Sequence, residues 1–183
     1  MKYSRVFINS LAYELAPEVV TSTELESRLT PLYQKFRIPM GQLTALTGIE
    51  ERRWWPSDHM LSDGAIVAAQ KAMNETGIAA ADIGAVVYTG VCRDQHEPAT
   101  ACRIAAKLGV LKDTAIYDIS NACLGVLSGI LDIANRIELG QIKAGLVVSC
   151  ESARHIVDVT IDDMLADPSM QNYARSLATL TGG

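Results

Sequence analysis

Thr114-Ala115-Ile116-Tyr117-Asp118-Ile119-Ser120-Asn121-Ala122-Cys123-Leu124-Gly125 is the stretch on which the fold turns. Its first six residues are apolar and β-branched enough to read as a buried strand. Ser120 and Asn121 are helix-capping residue types. Leu124, Leu127, Leu131, Ala134 and Ile137 then recur at helical spacing as far as Leu139-Gly140, a helix C-terminal signal. This reading puts Cys123 in the first turn of a buried helix, just past the C-terminal end of a strand. Unpaired N–H groups and the helix dipole favour thiolate there. Thiolate is the form that attacks carbonyl carbons. The usual fate of a free cysteine is that of a small buried hydrophobe. Position alone favours that fate, and the neighbouring residues reverse it.

Working outward, Ile83-Gly84-Ala85-Val86-Val87-Tyr88-Thr89-Gly90 and Ala144-Gly145-Leu146-Val147-Val148-Ser149-Cys150-Glu151 read as strands. Residues 62–77 read as a helix with Ala65, Ala68, Ala69 and Met73 on its packed side, small enough for close approach to other helices. Residues 98–108 read as a helix ending at Gly109. Strand–helix alternation predicts an α/β fold with a mainly parallel sheet, flanking helices and right-handed crossovers. Residues 6–12 read as a first strand. Thr21 and Glu24 have capping-box spacing. Leu25, Leu29, Leu32 and Tyr33 continue a helix face that Pro31 should break. Residues 40–46 predict a short helix, and Trp54-Trp55-Pro56 a turn packed by its aromatics. Residues 154–170, with Asp158, Asp162, Asp163 and Asp167, read as a solvated loop or short helix. Residues 173–180 read as a last strand.

The chain has 183 residues, enough for one domain or two, and can bury a sizeable core. Its residues are 49% hydrophobic and 5% aromatic, which suits an α/β protein rich in aliphatic side chains. A net charge of −5 without a basic stripe argues against a nucleic-acid partner. No apolar run is long enough to span a bilayer, and no signal-peptide pattern follows Met1, so a cytoplasmic address is expected. Cys92, Cys102, Cys123 and Cys150 have neither zinc-site spacing nor a secretory context, so neither a metal site nor a disulfide framework is expected. Cys92, Cys102 and Cys150 read as structural.

In their order, these segments resemble the thiolase superfamily of condensing enzymes, and within it the ketoacyl synthase III-type proteins. Leu46-Thr47-Gly48-Ile49-Glu50-Glu51-Arg52-Arg53 is similar to an early family stretch. Asn121-Ala122-Cys123-Leu124 is similar to the nucleophile turn. Arg93-Asp94-Gln95-His96-Glu97-Pro98-Ala99-Thr100 resembles the head-to-head acyl-CoA condensing enzymes that begin long-chain olefin synthesis. The resemblance implies a thiolase-like fold, with residues 1–183 forming the N-terminal half of an αβαβα sandwich. It implies Cys123 as the acyl-accepting nucleophile and Glu97 as a base reaching into the partner's site in a homodimer. It places Asn121, Leu124, Gly125, Arg52 and Arg53 as substrate contacts, the arginines toward phosphates. Read from residues alone, Glu97 supports a helix N-terminus with Pro98 at its first position.

The same resemblance implies that the histidine and asparagine which polarise the thioester carbonyl come from a second half. His59, His96 and His155 do not match that histidine, and the chain is expected to be the N-terminal half of a longer enzyme. Its apolar surface toward that half should then be exposed. Gln42 and Leu46 stand where starter enzymes of the family hold coenzyme A with tryptophan and arginine. Gly125 replaces a larger residue and should alter the acyl channel. No cofactor is expected beyond the substrates, acyl-CoA or acyl-carrier protein. The leading expectation is condensation of two long-chain acyl-CoA molecules without decarboxylation; the alternatives are starter condensation of acyl-CoA with malonyl-carrier protein and a non-catalytic dimerisation or acyl-binding half.

Overall fold

Residues 2–181 are described by a computed structural model. In chain order they form β1 (Glu18–Thr21), α1 (Ser22–Arg28), α2 (Thr30–Phe36), α3 (Gln42–Thr47), β2 (Glu51–Trp54), α4 (Leu61–Thr76), β3 (Ile83–Thr89), α5 (Thr100–Leu108), β4 (Ala115–Ile119), α6 (Gly125–Glu138), β5 (Ala144–Val148), α7 (Arg154–Ala166) and α8 (Met170–Ser176). Two compact units result. One comprises Met1–Glu14 with His59–Glu151, the other Leu15–Asp58 with Ser152–Gly183.

The first unit is built on a parallel sheet of order β4-β3-β5. Ala85 faces Ala115 and Thr89 faces Ile119 across one edge of β3, and Tyr88 faces Val148 across the other. Ala85, Val86, Val87 and Tyr88 are wholly buried. A central strand covered on both faces needs such a continuous apolar run. The crossovers run through α5 and α6, as the alternation predicted. α4 buries Leu61, Ala65, Ile66 and Ala69 and stops at Gly77, whose φ of 68° suits glycine.

Residues 6–12 do not form the expected strand. Ser4 and Arg5 are held by the Glu138 carboxylate at the end of α6 (3.0 Å to each N–H), and Ser10 Oγ donates to Glu75 (2.5 Å). Between these ties the segment borders a cleft of about 460 Å³ whose opposite wall is residues 143–149. Across that cleft the backbone of residues 6–12 makes no ladder with β5. Phe7, Ile8 and Leu11 stay exposed.

In the second unit β1 pairs antiparallel with β2, Glu18 facing Trp54. The predicted capping box is present: Thr21 Oγ1 accepts from Glu24 N (3.1 Å), and Glu24 Oε2 accepts from Thr21 N (2.6 Å). The Thr21 N–H first, and then the Thr21 hydroxyl donating to Glu24 Oε2 (2.9 Å), hold the Glu24 carboxyl below its usual pKa. Pro31 does not break a helix. It falls in the first turn of α2, where its missing N–H loses nothing. The buried Glu26 carboxylate accepts from Gly41 N (2.5 Å) and Leu43 N (2.7 Å), which offsets its desolvation.

The C-terminal expectations need two corrections. Residues 154–166 form a long helix, α7, that buries Val157, Ile161 and Met164 at helical spacing while its aspartates face outward. Residues 173–180 are helical and not a strand: Ser169 Oγ caps α8 at Asn172 N (3.1 Å), and a 3-10 turn continues over Leu177–Thr181. Tyr173 and Leu180 join Leu25, Leu32 and Trp54 in this unit's core. No helix among the described residues is long and apolar enough to cross a membrane.

Candidate functional site

β4 delivers the chain to the C-terminal edge of the parallel sheet, the edge at which open α/β sheets bind ligands. There Asn121 precedes a 3-10 turn, Ala122–Leu124, and α6 begins at Gly125. Cys123 therefore sits one turn ahead of α6 and not in its first turn. It is exposed, whereas Cys150 is buried and Cys92 and Cys102 are intermediate. Neither Ser120 nor Asn121 caps the turn with its side chain, contrary to expectation. Asn121 Nδ2 donates instead to Ser128 Oγ (2.9 Å) on α6. Ala122 takes φ of 44°, a left-handed conformation costly for alanine, so the turn is held by its surroundings.

Those surroundings are α6 pressed onto the sheet. A Cβ at Gly125 would stand 3.2 Å from Thr89 Cβ, and one at Gly129 would stand 2.9 Å from Val147 Cγ1. The buried face of α6 is thus Gly125, Gly129, Ile133 and Ala134. The leucine stripe read from the sequence as buried is largely outside: Leu124 is 55%, Leu127 57% and Leu131 42% exposed. Each covered leucine would contribute about 1.5–3 kcal/mol, so this face carries a strong drive toward a covering surface. An uncovered apolar face was expected, but not on this helix.

Glu97 lies in the connection from β3 to α5. α5 begins at Thr100 with Ala99 at its N-cap, so Pro98 precedes the helix and does not open it. The N-terminal N–H groups are taken by another acid: Asp118 accepts from Thr100 N (2.8 Å) and Ala101 N (2.9 Å). Glu97 is exposed and does not cap the helix. Because β3 and β4 are neighbours, Glu97 and Cys123 both leave the same edge of the sheet. Leu124 and Gly125 accompany Cys123 there, Leu124 outward and Gly125 inward.

The arginines belong to the second unit. Arg52 is only 5% exposed, and its Nη2 donates to Ser22 Oγ (3.1 Å). Burial lowers its pKa from the usual arginine value. A guanidinium turned inward in this way is not offered to solvent phosphates. Arg53 is exposed and pairs with Glu51 (3.4 Å). Gln42 and Leu46 lie on α3. Two carboxylates were missed by sequence reasoning. Asp118 is a charge inside an otherwise apolar strand, a visible signal of a required hydrogen-bonding role. Glu151, three residues beyond the end of β5, accepts from Val91 N (2.6 Å) and Cys92 N (3.0 Å).

A turn that carries an exposed cysteine from a parallel strand into a helix is an α/β arrangement, and likeness to known proteins assigns the chain to one family. The chain belongs to the thiolase family, whose N-terminal domain matches residues 44–180. An acyl-CoA:acyl-CoA alkyltransferase of Shewanella oneidensis is 86% identical over 183 residues, covering all of this chain and 52% of that protein. A cysteine-to-serine variant of Xanthomonas campestris OleA, solved with lauric acid and lauroyl-CoA, superposes with a TM-score of 0.93 at 35% identity. The match covers 100% of this chain and 54% of that one. The 3-oxoacyl-(acyl carrier protein) synthase III of Xanthomonas oryzae gives 0.92 at 36% identity, covering 98% and 54%. The chain spans about half the length of the curated relatives it matches.

Proposed function

We propose that these residues form the nucleophile-bearing half of an acyl-thioester condensing enzyme acting on long-chain acyl-CoA. The single observation that carries this reading is Cys123, exposed on the turn between β4 and α6. The 86% identical alkyltransferase supports the choice of substrate class. The Cys123 thiolate attacks the carbonyl carbon of one acyl-CoA, the C–S bond to coenzyme A breaks, and coenzyme A leaves as the thiolate, which takes up the proton that the cysteine gave up. A second acyl-CoA loses an α-proton to the Glu97 carboxylate of a partner subunit. The resulting carbanion attacks the acyl-cysteine carbonyl, the cysteine leaves, and a β-keto thioester forms. No carbon dioxide is lost. The carbonyl-polarising histidine and asparagine come from the other half of the polypeptide.

Intact-protein mass after incubation with long-chain acyl-CoA, with the second half supplied, tests the first step. Wild type is expected to gain one acyl group and Cys123→Ala none. An adduct on Cys123→Ala, or none on folded wild type, would overturn the reading and favour a non-catalytic acyl-binding or dimerisation half. Glu97→Gln is expected to stop at the acyl-cysteine. The likeness to a 3-oxoacyl synthase III favours a second reading, starter condensation with malonyl-carrier protein. Product formation that requires a malonyl thioester would select it.

A further inference from the structure

Glu97 sits in a connection fastened at both ends, and the two fastenings have the same form. At the β3 end, one carboxylate takes two successive backbone N–H groups: Glu151 Oε1 accepts from Val91 N (2.6 Å) and Oε2 from Cys92 N (3.0 Å). At the α5 end, Asp118 does the same, Oδ2 accepting from Thr100 N (2.8 Å) and Oδ1 from Ala101 N (2.9 Å). Ionised acceptors make short, strong bonds to N–H groups, and a two-point grip fixes direction as well as distance. The first end has further support. The hydroxyl of the buried Tyr88 lies 2.8 Å from Cys92 O and 2.7 Å from Cys150 O, and Asp94 Oδ1 accepts from Ser62 N (3.2 Å). A Cβ on Gly90 would come within 2.8 Å of Glu151 Oε1, so glycine there lets the carboxylate close on the backbone. Residues 95–98, Glu97 among them, stand exposed between the two grips.

We propose that Glu151 and Asp118 are positioning residues that hold the 90–99 connection at its two ends and so set where the Glu97 carboxylate stands. The proposal rests on the reading of Glu97 as the base. Neither acid touches the reacting atoms. Asp118 lies on β4, the strand that runs on to Cys123, so one strand positions both the nucleophile and the far end of the base's segment. Glu151 ties the near end to the segment that follows β5. A free connection of this length would sample many positions, and a displacement of about 1 Å lowers a rate by about 100-fold.

The test uses the natural polypeptide that contains these residues, with long-chain acyl-CoA as substrate. Acylation of Cys123 is read by intact mass and condensation by β-keto product. Glu151→Ala is expected to reduce condensation by about 100-fold, with acylation unchanged. Glu151→Gln keeps one acceptor oxygen in an isosteric side chain and should fall between Glu151→Ala and wild type. Amide hydrogen exchange at Val91 and Cys92 should quicken in both variants while the β3 amides stay protected. Parallel loss of acylation and condensation would mean general structural damage and overturn the proposal. So would unchanged exchange at Val91 and Cys92, or wild-type condensation by Glu151→Ala beside an inactive Glu97→Gln. Wild-type condensation by Glu97→Gln would instead remove the base reading, and the exchange measurement would still judge the grip.

Discussion

Two connections leave the same edge of the sheet from neighbouring strands, and they are held in opposite ways. The one after β4 is short and fixed by backbone: a strained Ala122, a 3-10 turn, and a helix with Gly125 and Gly129 pressed against Thr89 and Val147. The one after β3 is longer and fixed by side chains, through Glu151, Tyr88 and Asp118. The difference teaches where each is fragile. The cysteine turn fails when packing is disturbed. The Glu97 connection fails when single hydrogen-bond acceptors are removed.

The contrast can be broken by substitution. Gly129→Val should be the most damaging, because its Cβ alone would crowd Val147 at 2.9 Å. A destabilisation of about 3 kcal/mol is expected, at the upper end for overpacking, and is measured by denaturant unfolding. Retained stability would mean that α6 shifts freely and does not fix the turn. Asp118→Ala should cost about 2 kcal/mol, the upper end for a lost helix cap, because two N–H groups lose one acceptor. An unchanged unfolding midpoint would show that water replaces the carboxylate. Ala122→Gly should have the smallest effect. Relief of the left-handed conformation is worth about 1–2 kcal/mol, and the greater freedom of glycine in the unfolded chain takes back about 0.4–1 kcal/mol. A net gain of about 0.5 kcal/mol follows. A loss would mean that the turn carries no strain at Ala122.

Much of the sheet was legible in the sequence because β3, β4 and β5 are apolar runs bounded by turn residues. Thr21 and Glu24 were legible because a capping box is local chemistry. Residues 6–12 were not, since strand character there depends on a pairing edge that the sequence does not display. Residues 173–180 were ambiguous: Tyr173, Leu177 and Leu180 fit helical spacing as well as a short apolar run does a strand. In α7 the aspartates masked the Val157, Ile161 and Met164 face. On α6 leucines outweighed glycines in the reading, while in space the glycines are what pack. Cys123 and Glu97 were singled out by motif. Asp118 and Glu151 were not, because their partners are backbone groups that carry no sequence signature.

The central place of β3 also orders the events of folding. β3 must close a loop to β4 and another, about twice as long, to β5. Each doubling of loop length adds about 0.6 kcal/mol to the entropic cost of closure. On that scale the β3–β4 pair costs less to close than the β3–β5 pair, and both the cysteine turn, whose helix α6 packs on Val147 of β5, and the hold of Glu151 on Val91 and Cys92 wait for β5. Cys123 and Glu97 then take their places in one step of folding, the docking of β5, and not in two.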